Sequence, residues 1–209
     1  MNIKELNEKL RFFTEGPIEW KEEIICKIDP TINELFIKDV DMYGFLNLNE
    51  AVDTMINLYH ENKLRVCIPT NTAFKYKEKT YYLHLVMGIA EYKNNQIVCK
   101  YGIKHIMDKH SKEQTIVDDN TLCSEDKLTK AIKRVGEALS NGKAFISKEY
   151  NDRLVIQYQG FLYVICYSND DKQLTYLQTM FKPTKEYVKK NLPGKRFEKT
   201  DITTMEDQK

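Results

Sequence analysis

The chain has 209 residues, of which 42% are hydrophobic and 30% are charged. This hydrophobic fraction allows a core to be buried, so the composition argues against intrinsic disorder over most of the chain. The 32 basic and 31 acidic residues leave a formal net charge of +1. No overall positive field therefore favours long duplex DNA as a partner, although a small nucleic-acid enzyme needs only a local basic cluster.

The five cysteines are dispersed and have no CxxC spacing, so the sequence indicates neither a zinc site nor a redox motif. Four of them, Cys26, Cys67, Cys99 and Cys166, lie in apolar, strand-like runs, which is typical of buried free thiols in a reducing compartment. The first residues, MNIKELNEKLRFF, have a charged, amphipathic pattern, and no run is long enough to span a membrane. We therefore expect a cytoplasmic protein with no membrane association, no metal and no cofactor.

Hydrophobic spacing in the first half of the chain predicts helices alternating with short strands. The second of these helices can be capped by Asn47 or Asn49. A hairpin is expected where two extended runs flank the polar turn Lys93-Asn94-Asn95. The predicted elements are helix 2–14, strands 22–28 and 34–37, helix 47–62, strand 64–68 ending at Pro69, and the two extended runs within 79–99.

The second half predicts two helices followed by an antiparallel four-stranded meander, which is an α+β arrangement. Ser124 can cap the second helix, and Asn141-Gly142 ends it. Gln159-Gly160 supplies one hairpin turn, and Pro183 ends the last strand. The predicted elements are a short helix around 103–110, helix 125–139, strands 144–147, 153–158, 161–168 and 174–181, and a short helix to about 190.

Chemistry-bearing residues are densest in the segment 101–111. It contains His105 and His110, two of the four histidines of the chain, with Lys104 and Lys109 beside them. Imidazole titrates near neutral pH, which suits it to the proton transfers of metal-independent RNA cleavage. Positions i and i+5 on a helix lie about 140° apart, so either His110 lies just beyond the helix end or one of the two histidines is structural. A metal site is disfavoured, because helical ligand pairs prefer the i, i+4 spacing.

The other candidate residues carry little information on their own. His60 at a helix end and His84 in a strand are more often structural than catalytic. Threonine is common in strands, so Thr179 alone is not a functional signal. Strict alternation predicts that Thr175, Leu177, Thr179 and Phe181 share one face of the last strand, and that Tyr176, Gln178 and Met180 share the other.

The order of these motifs resembles that of the barnase/EndoU/colicin/RelE-like nuclease superfamily, and most closely its phage-associated and polymorphic-toxin branches. The resemblance covers about residues 98–190. It rests on the run HIMDKH, the capped helix SEDKLTKAIKRVGEAL, the strand-rich segment RLVIQYQGFLYVICYSNDDKQLTYLQT and the following MFKP. The two histidines are closer together here than in typical EndoU sequences, and the catalytic lysine of those enzymes has no clear counterpart.

The resemblance implies roles for six residues. It makes His105 and His110 the acid/base candidates and Thr179 a hydroxyl that positions the phosphate. It implies charge stabilisation or substrate binding by Arg153, Tyr158 and Lys182. Lys104 is added as a substrate-binding candidate because it lies beside the histidines.

The extent of the resemblance makes residues 98–192 the nuclease-like domain and leaves residues 1–97 as an α+β accessory region of unknown role. No flexible linker marks this boundary, so one sheet shared by the two halves is also open. Residues 193–209 are expected to be a flexible tail, because they are polar and charged.

Three hypotheses follow for the function. The first is a metal-independent endoribonuclease, toxin-like or phage-derived, that cleaves RNA (tRNA being one candidate) by histidine acid/base transesterification. The second is a non-catalytic phage or bacterial binding protein, such as an inhibitor of a host system, on a nuclease-like scaffold. The near-neutral charge and the large unassigned first half, which could bind a protein partner, favour the second. The third, an enzyme that acts on a small nucleotide or another phosphodiester, would use the same histidine pair, although the sequence has no Gly-rich loop that would bind a nucleotide triphosphate. The residues leave open whether the chain is an enzyme.

Overall fold

The computed structural model describes residues 41–42, 46–63, 66–88, 90–93, 96–99, 101–115, 119–150, 152–167, 174–192 and 196–204. The predicted helix 2–14 and the predicted strands 22–28 and 34–37 lie outside the described residues. The helices are α1 (Leu48–His60), α2 (Gly102–His110), α3 (Glu125–Lys133), α4 (Val135–Asn141) and α5 (Lys185–Asn191). The strands are β1 (Asp41–Met42), β2 (Val66–Tyr76), β3 (Lys79–Val86), β4 (Ala90–Lys93), β5 (Gln96–Cys99), β6 (Lys143–Ser147), β7 (Arg153–Tyr158), β8 (Phe161–Tyr167), β9 (Leu174–Phe181), β10 (Phe197–Lys199) and β11 (Thr203–Thr204).

The fold is α+β and is organised around one mixed sheet. Its strands run in the order β1-β2-β3-β9-β8-β7-β6-β10, and β11 pairs with β2. The consecutive strands β6 to β9 are antiparallel neighbours, whereas β9 is parallel to β3. The strands of the second half therefore share one sheet with β2 and β3, which lie before the predicted boundary at residue 97. The β4–β5 hairpin forms its own two-stranded sheet.

Apolar clusters cover both faces of this sheet. On one face, helices α1 to α4 pack in the main core, whose members include Met55, Ile106, Leu128 and Ile156. On the other face, α5 packs in a smaller cluster that includes Val155. Successive strand residues such as Val155 and Ile156 enter different clusters because side chains alternate across a strand.

Local signals placed several elements well. The side chain of Asn47 accepts a hydrogen bond from the backbone N–H of Glu50 at 3.0 Å, which confirms the predicted cap of α1. Likewise, Ser124 caps α3 by accepting from the N–H of Lys127. The predicted helix 125–139 is divided at Arg134, whose ψ of 7° is not helical, into α3 and α4.

Three predicted boundaries differ from the structure. The strand predicted to end at Pro69 continues to Tyr76, because the sheet accommodates the proline at a register shift between Pro69 and Ala73. The extended run predicted within 79–92 is divided into β3 and β4. The tail was predicted to be flexible, but its described part pairs with the sheet: the N–H of Thr200 donates to the carbonyl of Ala144 at 3.0 Å, and β11 pairs with β2.

Two further observations concern the cysteine thiols and the length of the helices. Cys67, Cys123 and Cys166 are buried free thiols, as predicted for Cys67 and Cys166. Within the described ranges, no helix is both long enough and apolar enough to cross a membrane.

Candidate functional site

A bulge in β9 sets the faces of its residues. Val164 of β8 is paired with Thr179, whereas the next residue, Ile165, is paired with Leu177, so Gln178 is an extra residue in β9. As a result, Leu177 and Met180 both enter the main core. The prediction that Leu177 and Thr179 share a face is therefore wrong, because the bulge reverses the alternation after Gln178.

The start of α2 is packed tightly against the end of β3. Gly102 has a φ of +82°, and a Cβ at this position would lie 2.4 Å from the carbonyl oxygen of Val86. The N–H of Lys104 then donates to the carbonyl of Met87 at 2.7 Å. Only glycine combines this backbone conformation with so close an approach, and the result is a helix that packs beside β9.

Side chains from α2, β9 and the β6–β7 region meet at a cavity of about 310 Å³. The structure thus brings together three of the predicted site residues, since His105, Arg153 and Thr179 all line this cavity. Gln178, which is 3% exposed, lies beside Thr179 in the wall. The remaining lining residues are Tyr101, Ser147, Glu149, Tyr150, Val155, Val164, Arg196 and Phe197.

Two polar atoms of this wall are buried without a hydrogen-bond partner among the described residues. They are Oγ1 of Thr179 and Nε of Arg153. The Oδ1 atom of Asp152 is 3.7 Å from Nε of Arg153, which is too far for a hydrogen bond. Since buried polar groups are nearly always paired in folded proteins, these two atoms mark a place where a ligand can supply the missing partner.

The charges at the cavity are mainly positive. Arg153 and Arg196 line it, and Glu149 is the carboxylate of the lining set. Nε of Arg196 lies 3.7 Å from Oε1 of Glu149. Nε of Arg153 lies at the same distance, 3.7 Å, from Oδ1 of Asp152, which is too far for a hydrogen bond. An anion next to Arg153 and Thr179 can therefore accept a hydrogen bond from that Nε atom.

The two histidines of α2 are in contact. Their ring centroids are 5.7 Å apart in an edge-to-face arrangement, and the ring of His110 also stacks on Phe181 at 5.7 Å. His105 lines the cavity, whereas His110 is the last residue of α2 and lies next to that wall. Burial, and secondarily the charges of His105 and Lys109, lower the pKa of His110 to about 4, so its imidazole is neutral at pH 7.

Three predicted substrate-binding residues lie elsewhere. Nζ of Lys104 pairs with Oδ2 of Asp108 at 3.0 Å, and it lies over the ring of Tyr59. The hydroxyl of Tyr158 donates to Oε2 of Glu137 at 3.3 Å. Nζ of Lys182 donates to the carbonyl of Asn120 at 2.9 Å. These three side chains stabilise the packing of helices and loops and do not line the cavity.

The other two histidines have structural contacts. Nε2 of His60 pairs with Oε1 of Glu125 at 2.7 Å, which links α1 to α3. His84 is buried, and its Nδ1 lies 2.9 Å from the carbonyl of Tyr82 and 3.0 Å from that of Thr175. Burial lowers the pKa of His84.

Several residues of the cavity were not predicted from the sequence. Tyr150 and Glu149 lie in the β6–β7 connection, and Arg196 precedes β10. Their only sequence signal is the polar turn between two strands, which does not distinguish a functional loop from any other. Gln178 was missed because strict alternation places it on the face opposite Thr179, whereas the bulge, which depends on pairing with β8, places both residues on the cavity side.

A scan against protein-family models and searches of curated proteins and of solved structures give no match. In the part of the chain that the structure describes, no group of three or more His, Cys, Asp or Glu side chains is arranged to hold a metal ion.

Proposed function

We propose that the cavity binds a phosphodiester of RNA and that the protein is an endoribonuclease that uses histidine acid/base chemistry. The observation that carries the proposal is the convergence of His105, Arg153 and Thr179 on one cavity, where Thr179 Oγ1 and Arg153 Nε are buried without a hydrogen-bond partner in the part of the chain that the structure describes. A phosphate group offers acceptor oxygens to both donors and a negative charge to the guanidinium.

The steps of RNA transesterification can be matched to residues of the cavity and to His110 beside it. The 2′-oxygen attacks phosphorus and forms a new O–P bond, while the bond from phosphorus to the 5′-oxygen breaks. His110 is neutral at pH 7, so it fits the base that takes the 2′-hydroxyl proton. His105 lines the cavity and, when protonated, fits the acid that gives a proton to the departing 5′-oxygen. Thr179 and Arg153 stabilise the charge that develops on the phosphorane oxygens.

Cleavage of end-labelled RNA in the presence of EDTA tests the proposal. We expect products that end in a 2′,3′-cyclic phosphate, identified by mass spectrometry, and no cleavage of DNA of the same sequence, which lacks the 2′-hydroxyl. His105→Gln and His110→Gln are each expected to slow cleavage by about 100-fold or more. The matched control is His60→Gln, because His60 contacts Glu125 and lies outside the cavity.

Two outcomes of the cleavage assay would contradict the proposal. Wild-type rates in both His105→Gln and His110→Gln, with thermal unfolding unchanged, would refute the assigned roles. Absence of cleavage by the wild-type protein on a broad RNA pool would refute the endoribonuclease.

One observation favours the second candidate function, a binding protein without catalysis, such as an inhibitor of a host system. His110 stacks on Phe181 beside the cavity wall, and its pKa of about 4 makes its imidazole a weak base. A protein of this kind would leave the RNA pool intact. It would still gain thermal stability from a bound phosphodiester, and that gain would be lost in Arg153→Met and Thr179→Val.

A further inference from the structure

Tyr150 is an unusual surface residue at the mouth of the cavity. It is 48% exposed, and among the described residues it is the large hydrophobic side chain that is left exposed. Its ring also lines the cavity that holds Arg153 and Thr179. An exposed aromatic ring next to an anion site is therefore complementary to a ligand that has both an anionic group and a flat apolar face.

The segment that carries Tyr150 is held in place by its backbone. Ser147 Oγ accepts hydrogen bonds from the N–H groups of Glu149 at 3.2 Å and Tyr150 at 3.1 Å. Ser147 itself is 6% exposed. The N–H of Lys148 donates to the carbonyl of Arg196 at 2.9 Å, which ties the segment to the residue before β10. The backbone of Tyr150 is thus ordered before a ligand binds, which reduces the entropy lost on binding.

Arg153 links the ring to the anion site. Its guanidinium carbon lies 3.9 Å from the centroid of the Tyr150 ring, a close cation–π contact. Within the described ranges, its Nε atom is one of two buried donors of the cavity wall that have no hydrogen-bond partner. One face of the ring therefore rests on a cation, and the exposed part of the ring is open to a second flat group.

We propose that Tyr150, supported by Arg153, stacks on one base of a single-stranded RNA whose adjacent phosphate lies at Thr179 and Arg153. The proposal rests on the proposed function in placing the phosphodiester there, and it names the substrate class. Every base presents a π-face, so stacking selects unpaired nucleotides and tolerates different bases. We call the Tyr150 ring with Arg153 behind it the platform. In a duplex the faces of each base are already covered by its neighbours, so a base of a duplex cannot stack on the platform.

The test compares two variants of Tyr150 in binding to a strand that cannot be cleaved. The probe is a fluorescently labelled, single-stranded 2′-O-methyl oligonucleotide, and its affinity for the full chain is measured by anisotropy. Tyr150→Leu retains apolar volume but removes the ring, and we expect it to weaken binding by about 5- to 100-fold. Tyr150→Phe retains the ring and is expected to bind like the wild type. The same probe annealed to its complement is expected to bind weakly to all three proteins.

Equal binding of the single strand by Tyr150→Leu and the wild type would overturn the platform and leave the exposed ring to a different occupant, such as a protein. Thermal unfolding of Tyr150→Leu shows whether the variant is folded, and a loss of binding counts only if its stability is unchanged. If the single strand binds through Tyr150 but unmodified RNA is not cleaved, the platform stands and the nuclease activity fails. If RNA is cleaved equally by wild type and Tyr150→Leu, the platform alone fails.

Discussion

Replacing Thr179 by valine tests the most unusual feature of the cavity without assuming any activity. Valine has nearly the same shape as threonine but has a methyl group in place of the hydroxyl. In the structure, Thr179 Oγ1 is buried and has no hydrogen-bond partner among the described residues. A buried polar group left unpaired costs about 1–3 kcal/mol. We therefore expect Thr179→Val to raise the free energy of unfolding by about 1 kcal/mol, which raises Tm by about 2–4 °C for a chain of this length.

Thr175 provides the matched control on the same strand. It is 1% exposed, and its hydroxyl donates a hydrogen bond to the carbonyl of Cys166. Thr175→Val removes that bond and leaves a buried carbonyl with one partner fewer, so it should lower the free energy of unfolding by about 1 kcal/mol or more. The same chemical substitution is therefore expected to have opposite signs at two positions four residues apart.

The assay is urea denaturation at pH 7 in a buffer free of phosphate, followed by circular dichroism. A second titration adds inorganic phosphate, which should stabilise the wild-type protein by mass action but have little effect on Thr179→Val. A loss of stability in Thr179→Val as large as that in Thr175→Val would show that the Thr179 hydroxyl is satisfied, and the anion site would then lose its main support.

Two further predictions concern α2. The pKa of His110 falls from 6.5 to about 4 on folding, so between pH 6.5 and pH 4 the unfolded chain binds more protons than the folded one. The free energy of unfolding should therefore fall as the pH drops from 6.5 towards 4. After allowance for solvent screening, the loss attributable to His110 is about 1–2 kcal/mol. Urea midpoints measured at several pH values should fall less steeply in His110→Phe, and an unchanged slope would contradict the lowered pKa. Gly102→Ala should cost about 2 kcal/mol or more, because its Cβ would lie 2.4 Å from the carbonyl of Val86. The control Gly160→Ala, also at positive φ but with open space around it, should cost only about 1 kcal/mol, and equal costs at the two sites would mean that α2 can shift.

Local patterns predicted the elements of the second half of the chain within a residue or two. Strands β7 and β9 have the predicted bounds, since alternating apolar residues and the turn at Gln159-Gly160 act over short distances. The bulge at Gln178 could not be predicted, because it depends on how β9 pairs with β8. The parallel pairing of β3 with β9 joins residues about 90 positions apart, such as His84 and Tyr176, and leaves no local signal.

The candidate site likewise contains some residues that could be predicted from the sequence and others that could not. His105, Arg153 and Thr179 were chosen because their order resembles that of a nuclease superfamily, and they line one cavity. Lys104 was chosen because it lies beside the histidines in the sequence, but its position one residue before His105 turns it towards Asp108 on another side of α2. Tyr150 and Arg196 come from connections whose role depends on the three-dimensional arrangement, so no pattern around them indicates a site.

The position of β9 has a consequence for the order in which the protein folds during synthesis. This strand lies between β3 and β8 in the sheet, so the early strands β2 and β3 leave the ribosome with a long edge unpaired until residues 174–181 follow. Chains with such distant pairings have high contact order and fold slowly, and exposed strand edges promote aggregation in the meantime. Arg196 and Phe197, which line the cavity, emerge later still. A nascent chain that lacks these residues is therefore expected to have no assembled site, so any activity of this cavity would begin only after Arg196 and Phe197 have been synthesised.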